Sequence, residues 1–352
     1  MEARDWRSLF VKSKTKPETE QRSGVMMIGK GRSERFATLT ILIGILLAFV
    51  FFARRAHRRH IASVLPFDGT VWDNPPSPVP PRVTHATYHS AVMNVDLGYN
   101  IYLPPQYGAN PTQSFPVIYF CHGKGENESY DLEPMRTYLD SAISSGQLPP
   151  MLIVWLNAGR NSKYMDAAPG SPMYGVVMAE TTIIHELIPH IDATYRTIAS
   201  KEGRAIQGRS MGGMGALRLA FKYPQLFSSV FAFNPAVDDN ASNVMEKEPV
   251  LMPAMFNSEP NLWEQNTVFT LANNNAANIR GLPIHIVIGS LDGLLPYNRD
   301  LFATLDRLGI PHDPLEIISG AGHSNLVLPN RIENLQFAAR YFVSGSPNNR
   351  GR

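Results

Sequence analysis

The sequence predicts an α/β protein whose mostly parallel sheet carries helices on both faces, preceded by a single N-terminal transmembrane helix. Short apolar runs alternate with amphipathic helical patterns between residues 86 and 345. Strands that are apolar on both sides are typical of parallel sheets covered on both faces. A charge-free apolar run at 36–53 indicates the membrane helix. The chain of 352 residues is long enough to bury a sizeable core.

The segment before this domain divides into three parts. Residues 1–35 are polar and basic without apolar periodicity, so we expect a disordered tail. Residues 36–53, FATLTILIGILLAFVFFA, predict the transmembrane anchor. A cleaved signal peptide is the alternative, but its apolar core would be shorter, and arginines stand here where a cleavage site needs small residues. Residues 54–85 include the run NPPSPVPP, which predicts a stiff, extended linker.

The side of the membrane on which the domain lies is less clearly marked. Basic residues lie close to both ends of the apolar run, so the usual cytoplasmic excess of Lys and Arg gives no orientation. Two Asn-x-Ser glycosylation triplets, beginning at Asn127 and Asn240, slightly favour a lumenal or extracellular domain. The sequence therefore predicts a single-pass membrane protein, with that side favoured.

The elements of the domain follow in order along the chain. Short apolar runs predict strands, and a 3.6-residue apolar period predicts helices. The predicted helix 179–195 contains Pro189, which cannot donate to the His185 carbonyl and should kink it. The other predicted helices are 214–221, 297–308 and 331–343, and the strands are 100–103, 117–121, 151–155, 204–206, 229–233, 284–288 and 315–318.

The pattern Gly-x-Ser-x-Gly at Gly208–Gly212 organises the predicted site. An apolar strand precedes it, and a helical pattern follows it as far as Pro224. A serine on such a sharp strand-to-helix turn is typical of a nucleophile elbow. The serine is expected in a strained conformation, and the glycines permit close approach of neighbouring backbone. The alternative is a glycine-rich turn with a solvated serine; we interpret Ser210 as the nucleophile.

A serine hydroxyl attacks only if a base accepts its proton and a third group orients that base. In open parallel sheets the active groups gather on loops at the carboxyl ends of the strands. Asp292 follows the strand 284–288, and His323 follows the strand 315–318. The chain order Ser210, Asp292, His323 matches nucleophile, acid and base on this architecture.

Other acids and histidines fit this pattern less well. Asp300 is the second candidate acid, but it lies inside a helical pattern, and Asp238 and Asp239 are a weaker alternative after the strand 229–233. Four further histidines fall inside predicted helices or strands or in a proline-flanked turn. We expect structural or surface roles for His185, His190, His285 and His312.

A tetrahedral intermediate also needs hydrogen-bond donors for its oxyanion. One should be the backbone N–H of Met211, at the start of the helix after the serine. The other should come from the loop after the strand 117–121, which reads His122-Gly123-Lys124-Gly125. We expect the Lys124 N–H as the second donor, with Gly123 as the next choice, and we expect His122 to orient the loop. A simple glycine-rich turn is the alternative.

Composition excludes several classes of function. Basic residues crowd the first sixty positions, so the formal charge of +2 leaves no basic face for nucleic acid on the domain. The single cysteine, Cys121, lies in an apolar run, which favours a buried thiol and excludes an intramolecular disulfide. The predicted chemistry needs neither a metal nor an organic cofactor.

With these residues in place, the chain resembles the esterase D / putative-esterase family of α/β-hydrolases. That family includes S-formylglutathione hydrolases, feruloyl and acetyl-xylan esterases and mycolyltransferases. The resemblance implies an α/β-hydrolase fold and an ester substrate, either a small molecule or linked to a polysaccharide. It covers about residues 90–343 and rests on Tyr102–Tyr107, Tyr119–Gly123, Glu186–Asp192, Gly208–Leu217, Gly289–Asp292 and Gly322–Ser324.

The chain departs from the family pattern near the predicted site. Many members that act on polysaccharides carry a tryptophan shortly after the histidine, where this chain has Ser324–Val327. Arg209 stands where the family usually has a less polar residue, so it is a candidate substrate contact. Trp263 is another, because residues 240–280 are expected to form part of the acyl-side wall. Core packing explains the same apolar residues equally well.

The predicted function is serine-dependent hydrolysis of carboxylic esters through an acyl-enzyme at Ser210. An acyltransferase that passes the acyl group to an alcohol or amine is the first alternative, because it would use the same residues. A non-catalytic interaction domain on a membrane stalk is the second, although such domains usually have a broken triad. The sequence predicts neither the acyl nor the alcohol part of the ester.

Overall fold

The computed structural model describes residues 69–238, 240–324 and 332–343. The predicted tail, the anchor 36–53 and the first part of the linker lie outside these ranges. Within them, none of the helices combines the length and the apolar character that a membrane span requires.

A twisted sheet of eight strands forms the centre of the described structure. Its spatial order is β1-β2-β4-β3-β5-β6-β7-β8. The pairs β1–β2 and β2–β4 are antiparallel, and the other five pairs are parallel, which confirms the mostly parallel sheet. The strands are β1 Val83–Ser90, β2 Val95–Tyr102, β3 Val117–Cys121, β4 Leu152–Leu156, β5 Arg204–Arg209, β6 Ser229–Phe233, β7 Ile284–Gly289 and β8 Glu316–Ile318.

Helices cover both faces of this sheet. Alternate residues of the central strands accordingly enter different apolar clusters. Tyr119 of β3 packs in the larger cluster, whereas Ile118 and Phe120 pack in a second one. The helices are α1 Pro105–Ala109, α2 Leu132–Ser144, α3 Ala179–Thr181, α4 Ile188–Thr194, α5 Met211–Lys222, α6 Ala241–Lys247, α7 Leu251–Phe256, α8 Pro260–Glu264, α9 Val268–Ile279, α10 Leu295–Arg307 and α11 Ile332–Ala339, with a 3₁₀ turn at Lys201–Gly203.

The predicted linker does not extend to residue 85. Strand β1 begins at Val83 and pairs with β2, so the sheet starts three residues before the predicted boundary at 86. The preceding segment is also attached to the domain, since the Trp72 carbonyl accepts a hydrogen bond from Gly98 N–H at 2.6 Å. The Asn74 side chain donates to the Glu128 carboxylate at 3.0 Å. The prolines therefore lie in a segment that is bonded to the sheet.

The predicted helix 179–195 is not one kinked α-helix. A π-helical turn, Thr182–Leu187, separates α3 from α4. Pro189 has no amide hydrogen for the His185 carbonyl, and the Ile188 N–H bonds to the Ile183 carbonyl five residues earlier instead of four. The helix thus widens at the proline.

Candidate active site

The register of the parallel strands brings five loops to one edge of the sheet. Cys121 pairs with Gly208, Arg209 with Phe233, and Gly289 with Ile318, so the carboxyl ends of these strands lie side by side. The loops that follow these strands carry four residues selected from the sequence, which are His122, Ser210, Asp292 and His323. Asn234, after β6, lies at the same edge.

Ser210 occupies a strained turn between β5 and α5. Its backbone angles are φ 55° and ψ −117°, a region that non-glycine residues rarely adopt. A Cβ on Gly208 would lie 2.2 Å from the Gly212 carbonyl oxygen, and a Cβ on Gly212 would lie 2.0 Å from that of Cys121. Both glycines are therefore required by close contacts between backbones, and the turn presents the Ser210 hydroxyl above the sheet edge.

The structure brings the three predicted triad side chains together. The Oγ of Ser210 lies 2.9 Å from Nε2 of His323, and Nδ1 of His323 lies 2.8 Å from Oδ2 of Asp292. The Asp292 side chain is 1% exposed, whereas the His323 imidazole is 36% exposed. Because the carboxylate accepts the proton on Nδ1, Nε2 is left with a lone pair toward the serine hydroxyl.

Asn234 is a supporting residue of this site that the sequence analysis did not select. It is fully buried after β6, its Nδ2 donates to the His323 carbonyl at 3.1 Å, and its Oδ1 accepts the Gly289 N–H at 3.1 Å. It thus fixes the loop of the histidine to the strand that leads to Asp292. Its position directly after an apolar strand is the signal in the sequence, although an asparagine is neither an acid nor a base.

The predicted backbone donors for an oxyanion are the N–H groups of Met211 and Lys124. Among the described residues, neither N–H donates to another protein group. Gly123, the next choice, is a wrong prediction, because its N–H donates to Oε2 of Glu126 at 2.6 Å. That bond is internal to the loop and leaves the Gly123 N–H unavailable to a substrate.

His122 orients this loop from below. Its Nε2 accepts the Ala158 N–H at 3.2 Å, so the proton lies on Nδ1, which donates to the Gly123 carbonyl at 2.8 Å. Complete burial lowers the pKa of His122 to about 4, and the imidazole is neutral at ordinary pH. The Tyr164 hydroxyl donates to the His122 carbonyl at 2.8 Å. These bonds fix the ring and the start of the loop that follows it.

The two candidate substrate contacts, Trp263 and Arg209, both make contacts within the protein. Trp263 is 2% exposed and packs against Phe256 in the core, so it offers no surface to a substrate. Arg209 donates from Nη1 to Glu126 Oε1 and to the Tyr130 hydroxyl, each at 2.7 Å. For Trp263 the core-packing alternative is the correct one, because α7 and α8 bury their large apolar side chains against each other.

A cleft of about 250 Å³ adjoins the Lys124 loop. The loop after β4 and the connection between α6 and α7 form its other walls, with Arg160, Asn161, Glu248 and Val250 among the lining residues. Glu248 lies 3.3 Å from the Lys124 Nζ and also bonds to Lys163. Residues 247–251 line this cleft, whereas the more distant part of 240–280 does not.

Groups that could hold a metal lie away from Ser210 among the described residues. Ligand atoms of Asp73, His85 and Glu128 lie within 4.8 Å of one another. His85 Nε2 pairs with Asp73 at 2.6 Å, and Glu128 accepts hydrogen bonds from the Asn74 and Asn157 side chains. These hydrogen bonds explain the cluster, because they attach the segment before β1 to the domain.

The remaining alternatives to the triad are also engaged elsewhere. Asp238 lies 3.5 Å from the Lys247 Nζ, and Asp300 lies in α10. His285 pairs with Asp313 at 2.9 Å on the far side of the sheet, and His312 lies 3.2 Å from Asp306. Asp239 lies outside the described residues. None of the others contacts Ser210, in keeping with structural roles.

Residues 90–307 match the sequence profile of the putative esterase family. This chain belongs to that family. A curated family relative, an esterase of Mycobacterium tuberculosis, is 33% identical over 149 residues, which are 42% of this chain and 31% of that protein. The chain therefore matches about a third of the length of its curated mycobacterial relatives.

Solved structures show that this family member has the fold of known esterases. A ferulic acid esterase superposes with a TM-score of 0.60 at 24% identity, over 74% of this chain and 98% of that one. An S-formylglutathione hydrolase from Agrobacterium tumefaciens gives a TM-score of 0.61 at 19% identity, over 74% and 95%. At these identities the likeness shows the fold, which is the α/β-hydrolase fold predicted above.

Proposed function

We propose that the protein is a serine-dependent carboxylic-ester hydrolase that works through an acyl-enzyme at Ser210. The observation that carries this proposal is the chain of contacts from Ser210 Oγ to His323 Nε2 and from His323 Nδ1 to Asp292, at 2.9 and 2.8 Å. Membership of the putative esterase family supports it. Two backbone N–H groups without partners among the described residues supply what the oxyanion needs.

The geometry supports one sequence of steps. Ser210 Oγ attacks the ester carbonyl carbon while His323 Nε2 accepts the hydroxyl proton, and Asp292 stabilises the resulting imidazolium. The carbonyl oxygen, now negative, accepts hydrogen bonds from the N–H groups of Met211 and Lys124. Collapse expels the alcohol, which takes the proton from Nε2, and leaves the acyl group on Ser210. Water then repeats the attack with His323 as base and releases the acid.

The substrate class follows less directly from the residues. The solved neighbour named as a ferulic acid esterase supports an ester of an aromatic acid. The S-formylglutathione hydrolase neighbour supports a small-molecule substrate. Small-molecule or polysaccharide-linked esters are both within the proposal, and a panel of acyl-chain lengths and aryl esters distinguishes them.

Substitution of Ser210 tests the proposal. Ser210→Ala should lower kcat for a p-nitrophenyl ester by about 10³-fold or more, since the nucleophile is lost, without changing the melting temperature. Ser200→Ala, whose hydroxyl bonds only to exposed Glu202, is the matched control and should keep wild-type activity.

Two further measurements separate the alternatives to hydrolysis. Activity retained by Ser210→Ala would refute the proposal, and failure of a fluorophosphonate probe to label folded protein at Ser210 would favour a non-catalytic domain. Product analysis with and without an acceptor alcohol distinguishes the acyltransferase, because a hydrolase forms only the free acid.

The proposal includes anchoring of the domain by residues 36–53, with the lumenal or extracellular side favoured. The support is the charge-free sequence of that run, together with the two Asn-x-Ser triplets. Full-length protein should remain with membranes after a high-pH wash, and a variant lacking 36–53 should be released. Full-length protein extracted by the wash would contradict anchoring, and a glycosidase-induced mass shift tests the side.

A further inference from the structure

Arg209, next to the candidate nucleophile, makes its contacts within the protein. Its Nη1 donates to Glu126 Oε1 and to the Tyr130 hydroxyl, both at 2.7 Å, and the guanidinium lies 5.4 Å from the Tyr130 ring centroid. The side chains of Arg209 and Glu126 are only 18% and 19% exposed. Arg209 is partly desolvated and bonds to one charged and one neutral acceptor, so its side chain is held in one place. Its role therefore depends on the groups that Glu126 contacts.

Glu126 is the link between Arg209 and the loop of Lys124. Its second oxygen, Oε2, accepts the Gly123 N–H at 2.6 Å, and its own N–H donates to the Gly123 carbonyl at 3.2 Å. These two bonds close a tight turn in which Lys124 is the residue after Gly123. Burial raises the pKa of Glu126, and the Gly123 N–H and Arg209 act against that rise, so both partners stabilise the carboxylate.

We propose that Arg209 and Glu126 are a pair of positioning residues that hold the Lys124 N–H at the oxyanion position of Ser210. This inference rests on the proposed function. Arg209 belongs to β5 and immediately precedes Ser210, so the pair connects the strand of the nucleophile directly to the loop of the second donor. Preorganised donors lose much of their effect when displaced by about 1 Å, and the bonds from Arg209 to Glu126 and from Glu126 to Gly123 restrict such a displacement of the loop.

This role explains why a charged residue precedes the serine. A small or apolar residue in place of Arg209 would leave Glu126 as a partly buried carboxylate without its cation, which is unfavourable. The carboxylate would then turn toward water or take up a proton, and its bond to Gly123 would weaken. The turn would still form, but the Lys124 N–H would be less well aimed.

The test compares Arg209→Met, Arg209→Lys, Glu126→Gln and the double variant Glu126→Gln/Arg209→Met with a p-nitrophenyl ester. Arg209→Met should lower kcat about 10- to 100-fold with less than about a threefold change in KM, because the donor acts on the transition state. Arg209→Lys should recover part of that loss, since its ammonium reaches Glu126 without the second bond to Tyr130. The double variant should lose little more than Arg209→Met alone, because the two residues act as one unit.

Arg136→Met is the matched control, because Arg136 is also an ion-paired arginine, with Glu133 and Asp140 as its partners, but lies on α2. It should keep the wild-type kcat. Wild-type kcat in Arg209→Met with an unchanged melting temperature would overturn the inference, as would a rise in KM alone, which indicates a substrate contact. If Arg209→Met does not fold, Arg209→Lys and Glu126→Gln decide by the same split of kcat and KM. Activity in Ser210→Ala would instead refute the proposed function, so the two failures are distinguishable.

Discussion

At Lys124, the side chain and the backbone have separate roles. The ammonium is 52% exposed and lies 3.3 Å from Glu248, whereas the N–H has no partner within the described part of the chain. Lys124→Ala should therefore keep kcat within about threefold of wild type, since an exposed ion pair contributes little. Lys124→Pro, which lacks the N–H, should lower kcat for a p-nitrophenyl ester about 10²- to 10³-fold.

The comparison of these two variants decides which group acts. Equal losses in Lys124→Ala and Lys124→Pro would assign the effect to the ammonium and contradict a backbone donor. A melting temperature measured for each variant shows whether proline has unfolded the loop instead.

At the residue scale, the sequence selected side chains that the structure places together. Ser210, Asp292 and His323 lie within hydrogen-bond distance because they follow parallel strands that end at the same sheet edge. They could be selected because few acids and histidines follow a strand in this sequence. Glu126 could not be selected in this way, because its function depends on a contact with Arg209, 83 residues later in the chain. Partners this distant are set by strand register, which a single sequence does not encode locally.

At the scale of elements, the glycines around Ser210 follow from the packing of α5 against β3. The Gly212 position approaches both the Cys121 and the His122 carbonyl oxygens, at 2.0 and 2.5 Å from a hypothetical Cβ. The sequence predicted the strand, turn and helix here from periodicity alone, and these elements are present at β5 and α5. The motif is thus a packing requirement as much as a chemical one.

The errors at this scale have physical causes. Proline at 189 predicted a kink, but the chain instead accommodates the missing hydrogen bond with a π-helical turn, which keeps Ile183, Ile184 and Leu187 buried. Strand β1 was missed because its outward residues are polar and only a few of its positions are buried, as expected for an edge strand with one solvated face.

On the scale of the whole molecule, a buried ion network joins the start of α3 to α5. Glu180 bonds to Arg218, to the Lys222 Nζ at 2.6 Å and to the Tyr223 hydroxyl at 2.6 Å. The Arg218 side chain is 1% exposed and also donates to the Tyr164 carbonyl at 2.9 Å. Tyr164 in turn holds His122 beneath the candidate site, so the network connects the outer helices to the site.

This network should make stability depend on pH. Burial alone would raise the pKa of Glu180, but Arg218, Lys222 and Tyr223 outweigh it and lower the pKa from 4.5 to about 2. The interactions of ionised Glu180 contribute their full stabilisation above about pH 4.5, the pKa in the unfolded chain. That contribution is lost as the pH falls toward the folded-state pKa of about 2. From the shift it amounts to about 3 kcal/mol.

Burial raises the pKa of other carboxyl groups, such as those of Glu128 and Asp131. The substitution Glu180→Gln separates the contribution of Glu180 from theirs. At pH 7 the variant should be less stable by about 3–5 kcal/mol, because Arg218 is left buried without its anion. The gap in unfolding free energy between wild type and variant, measured by urea titration, should then narrow by about 3 kcal/mol between pH 5 and pH 2. A difference that stayed constant over this interval would show that the pKa of Glu180 is not lowered in the folded protein. The acid sensitivity of the fold would then come from another group.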